Sequence, residues 1–90
     1  IKRAIAVNKK QAKITWNKVE GAKGYQIQYS TKTNFKGKKT ITVKSASATK
    51  KLIKKLKSGK KYYIRMRAYK IVDGQTLYTS YSAKKKVKIK

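Results

Sequence analysis

The sequence predicts an all-β domain, a Greek-key sandwich of about seven antiparallel strands. Three observations predict it. Short stretches alternate apolar and polar residues with a period of two, the mark of half-buried strands. Turn signals separate these stretches roughly every eight to twelve residues. Nowhere does an apolar period of about 3.6 residues persist beyond two helical turns.

Ala4-Ile5-Ala6-Val7 is a short apolar start. Ala12, Ile14 and Trp16 alternate with Lys13 and Thr15, which predicts a strand with one buried face. Val19 to Gly24 holds two glycines and reads as a turn. Tyr25, Ile27 and Tyr29 alternate with Gln26 and Gln28 in a further strand. Ser30 to Lys39 is polar, contains Asn34 and Gly37, and reads as a loop or a bulged crossing. Thr40-Ile41-Thr42-Val43 is β-branched throughout. Lys50 to Leu56 fits either a short strand or a helical turn. The stretch LKSGKKYYIRMRAY then turns at Gly59 and alternates strictly. Tyr62, Ile64, Met66 and Ala68 fall on one face; Tyr63, Arg65, Arg67 and Tyr69 fall on the other. Val72-Asp73-Gly74-Gln75 is a hairpin signal. Val87 and Ile89 alternate with lysines at the end. No internal repeat has a solenoid period.

Ninety residues, 1–90, make one domain with a modest core. Cysteine is absent, so no disulfide supplements that core. No apolar run approaches the roughly 18 residues of a membrane span. No leader is visible at Ile1, and the chain reads as a segment excised from a longer multidomain protein. Lys plus Arg is 27, Asp plus Glu is 2, and the net charge is +25. Such a field attracts polyanions, and it is also what a lysine-rich solvated surface produces. The arginines are Arg3, Arg65 and Arg67, and two of them share one strand face.

The chain resembles a fibronectin type III domain, of the lysine-rich kind found in secreted or surface proteins of Gram-positive bacteria. The resemblance rests on Trp16 within ITWNKVEGAKGY and on the Tyr25, Ile27, Tyr29 strand after a glycine turn. It rests also on Leu56, Gly59, Tyr62, Ile64, Met66 and Ala68, which follow the family's Leu-x-Pro-Gly-x-x-Tyr-x-Val-x-Val-x-Ala pattern. It spans about Ile5 to Ile89. It implies an immunoglobulin-like sandwich whose core holds Trp16, Tyr25, Ile27, Tyr29, Leu56, Tyr62, Ile64 and Met66. Tyr62 would be a tyrosine corner, its ring in the core and its hydroxyl on the backbone of the preceding turn. Trp16 needs a partner for its indole N–H. Two positions depart from the pattern. Ser58 stands where the family has proline. Lys51, two before Ile53, falls where an inward residue is usual, so either its stem follows the core edge or the strand register shifts by one.

Histidine and cysteine are absent, which removes the usual metal ligands and general base. Glu20 and Asp73 stand in separate turns, so no carboxylate pair is available for glycoside hydrolysis. GAKG at 21–24 lacks the spacing of a phosphate loop. No catalytic residue, metal site or cofactor is assigned. Arg-Gly-Asp is also absent, so integrin binding is not carried over.

The candidate ligand face is Tyr63, Arg65, Arg67 and Tyr69, with Gln26 and Gln28 on one side and Lys86 and Lys88 on the other. An aromatic and basic sheet face can stack sugars or bases and pair with phosphates; it can equally be ordinary cross-strand packing. A second set is Ile71, Val72, Leu77, Tyr78 and Tyr81 near the hairpin. It could contact a neighbouring module or close one end of the core. The expected function is a non-catalytic structural or adhesion module of an extracellular, wall-associated bacterial protein. Its partners would be neighbouring domains of the parent chain. Two alternatives stand beside it. One is a polyanion-binding module for teichoic acid, sulfated glycan or, non-specifically, nucleic acid. The other is an engineered, charge-shifted scaffold.

Overall fold

The computed structural model describes residues 3–82 and 84–90. Eight strands follow in order: β1 Arg3–Asn8, β2 Gln11–Thr15, β3 Gly24–Ser30, β4 Lys39–Val43, β5 Lys50–Ile53, β6 Lys61–Val72, β7 Gln75–Tyr78 and β8 Lys85–Lys88. Sheet one has the order β1-β2-β5. Sheet two has the order β4-β3-β6-β7, with β8 also paired to β6. All pairings are antiparallel. The chain crosses from one sheet to the other between β2 and β3, between β4 and β5, and between β5 and β6. The result is the immunoglobulin-like sandwich.

The core is the sum of the inward faces. Ala12, Ile14, Trp16, Tyr25, Ile27, Ile53, Leu56, Tyr62, Ile64, Met66, Ala68, Val87 and Ile89 pack as one buried cluster. Trp16 and Tyr25 meet with ring centroids 5.3 Å apart. The Trp16 indole N–H is buried without a hydrogen-bond partner among the described residues, whereas the sequence calls for one. Tyr29 lies at the rim of the core rather than inside it. It is half-buried and packs on Tyr62 with centroids 6.1 Å apart. Burial, and secondly the neighbouring Tyr62, push its phenol pKa above the ordinary value.

Lys50 to Leu56 resolves into a strand ending at Ile53 and a turn that buries Leu56. Ile53 faces inward opposite Ala12, and Lys51 sits opposite Ile14 yet is exposed. The register therefore holds, and Lys51 reaches water because β5 is an edge strand. The Asp73-Gly74 hairpin has positive φ at both central residues, 50° and 78°, as a type I′ turn requires.

The expected seventh strand is two strands. β7 pairs with Tyr69–Val72, and β8 pairs with Lys61–Ile64. Between them runs a strap, residues 79–82, held on β6 by another device. The Thr79 N–H donates to Ala68 O at 2.9 Å, and Thr79 Oγ1 accepts the Ala68 N–H at 3.0 Å. Three residues on, the Ser82 N–H donates to Met66 O at 2.7 Å, and Ser82 Oγ accepts the Met66 N–H at 3.1 Å. Hydroxyls thus replace the backbone carbonyls of a regular ladder. The repeat is three residues instead of two, the period of polyproline II backbone.

Candidate functional site

The outer face of sheet two is built from rows across the strands. Arg67 lies opposite Gln26 and Arg65 opposite Gln28. The next strand places Thr42 beside Gln26 and Thr40 beside Gln28. Strand adjacency is enough to join the long side chains. The Arg67 Nε–H donates to Gln26 Oε1 at 2.9 Å, and the Arg65 Nε–H donates to Gln28 Oε1 at 2.9 Å.

The other side of β6 carries Lys86 and Lys88 as the sequence predicts, but only at its lower end. Lys86 pairs with Tyr63 and Lys88 with Lys61, both at the lower end of β6. Neither flanks the arginines, because the strap occupies that position. The strap's period of three is what matters here. With Thr79 and Ser82 turned to the backbone, Tyr78 and Tyr81 come to lie on the guanidinium groups. The Arg67 guanidinium carbon stands 3.7 Å from the Tyr78 ring centre and 4.5 Å from that of Tyr81. The Arg65 carbon stands 4.1 Å from Tyr81 and 4.2 Å from Phe35.

The residues stack in the sequence Phe35, Arg65, Tyr81, Arg67, Tyr78. Phe35 comes from the loop between β3 and β4 and is buried. That loop is held by Ser30, whose hydroxyl donates to Lys36 O at 2.8 Å and accepts the Lys32 N–H at 3.1 Å. Phe35 itself has a φ of 60°, a left-handed conformation uncommon outside glycine. Gln28, expected on the wet side, is buried beneath this layer.

Tyr69 and Tyr63 complete the face without joining the stack. Tyr69 covers Gly24, opposite it on β3, and meets Tyr78 at 6.2 Å. Tyr63 lies between Ser30 and Lys86. The structure therefore brings seven of the eight proposed face residues together, Tyr63, Arg65, Arg67, Tyr69, Gln26, Gln28 and, beside Tyr63, Lys86, and places Lys88 one step below, opposite Lys61. It adds Phe35, Tyr78 and Tyr81. The stacking surfaces of both guanidinium groups are taken by the protein's own rings. No aromatic ring in the stack between the two arginines offers a free face for a base or sugar.

The second set divides. Tyr78 and Tyr81 belong to the arginine stack. Ile71, Val72 and Leu77 project at the hairpin end, 52, 43 and 45% exposed, and do not close the core. Val19 is exposed at the same end, beside a shallow cavity of about 200 Å3 lined by Val19, Ala22, Leu77 and Tyr78 among others.

Among the described residues, no three His, Cys, Asp or Glu side chains come together, and no helix is long and apolar enough to cross a membrane.

Two antiparallel sheets over one core, with a tyrosine corner at Tyr62 and an arginine-rich outer face, define an immunoglobulin-like module. The family model of the fibronectin type III domain matches residues 2–82, and the chain belongs to that family. Such domains are generally non-catalytic and typically occur in extracellular proteins. Among solved structures, the FN1–FN3 domains of chicken CNTN1 superpose with a TM-score of 0.81 at 18% identity. That match covers 98% of this chain and 30% of the chicken chain, so the present chain spans under a third of that protein fragment. An Fn3-like protein from Clostridium thermocellum superposes with a TM-score of 0.75 at 26% identity, covering 97% of this chain and 85% of the other. No curated protein sequence matches the chain.

Proposed function

We propose that the domain is a non-catalytic spacer and interaction module of an extracellular, wall-associated bacterial protein. One observation carries this reading. Arg3 pairs with Thr15 at one end of the β1–β2 hairpin, and the Lys10 N–H bonds Lys90 O at the other. The chain therefore enters and leaves at opposite ends of a body 43 Å long and 25 × 20 Å across. Each such module lengthens the protein that contains it. The exposed Ile71, Val72 and Leu77 stand at the entry end, where a preceding domain would meet them. The likeness to a clostridial Fn3-like protein supports a bacterial setting, and the missing acid–base groups support a structural role.

Small-angle scattering of a chain carrying two copies in tandem tests the reading. A spacer gives a maximum dimension close to twice that of one copy. A two-copy chain no longer than a single copy would exclude it.

A further inference from the structure

Beside Arg65 opens a groove of about 280 Å3, bounded by the β3–β4 loop and the strap. Its polar lining includes Arg65, Lys84, Thr33 and Asn34, and no carboxylate. The only acidic side chains, Glu20 and Asp73, lie in turns at the other end of the sandwich. Arg67 adds a second guanidinium on the far face of Tyr81. Two like charges thus share one half-buried ring with no counterion built in.

The arginine is also immobilised before any ligand arrives. Its Nε is tied to Gln28 and its two faces are clamped by Phe35 and Tyr81. Binding through its terminal N–H groups costs little further side-chain entropy. Lys84 is placed by a bond from Nζ to Thr33 O at 3.0 Å, which leaves two of its three donors. Asn34 Oδ1 is occupied by the Lys36 N–H at 3.0 Å, so the amide NH2 is the group Asn34 offers.

Charge-assisted donors on a planar fork match an oxyanion. Of the rings lining this groove, Tyr81 has a guanidinium on each face and Phe35 is buried, so neither offers a surface for a base or a sugar to stack on. We infer that this groove binds a tetrahedral oxyanion, a phosphate or sulfate ester carried on an extended polyanion. The site is independent of the spacer role and goes beyond it.

The test is titration of the intact domain near physiological salt with inorganic phosphate, inorganic sulfate, polyphosphate and heparin, followed by NMR and by affinity. The Thr33 and Asn34 amides should shift with every one of these probes. Arg65→Lys, which keeps the charge, should weaken polyphosphate or heparin binding about tenfold, as loss of a charged hydrogen-bond set does. Lys84→Gln should weaken it several-fold. Lys51→Gln, an equal charge change on the opposite sheet, should stay within about twofold. Preference for polyphosphate over heparin at matched charge identifies phosphate esters as the source, and the reverse identifies sulfate esters. Should Arg65→Lys not fold, Lys84→Gln against Lys51→Gln still decides. Equal losses from Lys84→Gln and Lys51→Gln, or unshifted Thr33 and Asn34 amides, would overturn the site in favour of diffuse electrostatics. Tighter binding of single-stranded DNA than of either probe at equal charge would overturn it in favour of base stacking.

Discussion

The Tyr62 hydroxyl accepts the backbone N–H of Lys57 at 2.9 Å, five residues upstream across the turn that buries Leu56. The ring sits in the core while the oxygen satisfies a backbone donor of the turn. Tyr62→Phe keeps the ring and orphans that donor. It should cost about 1 to 2 kcal/mol in a urea titration. A neutral result would mean that water replaces the hydroxyl at no cost.

Gly24 and Tyr69 make the second prediction. A Cβ at Gly24 would strike the Val43 carbonyl oxygen, and it would lie 2.7 Å from the Tyr69 hydroxyl. The carbonyl belongs to the adjacent strand and cannot retreat without breaking the ladder. Gly24→Ala should cost about 1 to 3 kcal/mol, the range for overpacking. Trimming Tyr69 in the same chain should recover only part of that loss, because the backbone collision remains.

Tyr81 is the shared ring of the arginine stack. Tyr81→Leu keeps apolar bulk and deletes two cation–π contacts, each worth roughly 0.5 to 2 kcal/mol. The variant should lose about 1 to 4 kcal/mol. The strap should loosen first, so the amides of Thr79 and Ser82 should exchange faster than those of β3. Uniform loss of protection across the domain would contradict a local clamp.

Much of this architecture is legible in the residues. The alternation of Tyr62 to Tyr69 separates inner from outer face, and adjacency of β3 and β6 places Gln26 and Gln28 beside the arginines. The arginine stack is harder to read. Phe35 comes from a loop whose path depends on Ser30 and a positive φ, neither of which has a periodic signal. Tyr78 and Tyr81 do carry one. YTSYS repeats an aromatic and a hydroxyl residue at spacing three, which a period-two reading misses. The sequence also sets Lys86 and Lys88 beside this face without fixing their level; with the strap intervening, they stand opposite Tyr63 and Lys61, below the arginines.

Tyr29 predicts a response to alkali. Its phenol pKa is raised in the fold by burial first and by Tyr62 second. The unfolded chain then gives up its proton before the folded one. Between the ordinary value of 10.0 and the raised folded value, unfolding releases a proton, and stability falls as pH rises. Tyr29→Phe removes this contribution. Its stability relative to the parent should improve on passing from neutral pH to above 10. A constant difference across that window would show that the two states titrate alike.

The last prediction concerns the field of the whole surface. With 27 cations and 2 acidic side chains, the net charge of +25 repels itself in the compact state. At an ionic strength of about 0.01 M the Debye length is about 30 Å, longer than the domain is wide, so lysines interact across it. At about 0.15 M the length falls to about 8 Å and most of these pairs are screened. Stability should therefore rise with sodium chloride over this range. Relief of about 1 kcal/mol would lift the melting temperature by roughly 4 to 8 °C for a chain of this size. A flat response would mean the lysines are too dispersed to matter. Sodium sulfate at matched ionic strength separates screening from binding. Any increment beyond chloride combines general exclusion of sulfate from the surface with site occupancy. Only the second part depends on particular residues. Lys84→Gln should lose that part and Lys51→Gln should keep it, although both remove one charge. Equal increments in the two variants would assign the whole effect to the bulk salt.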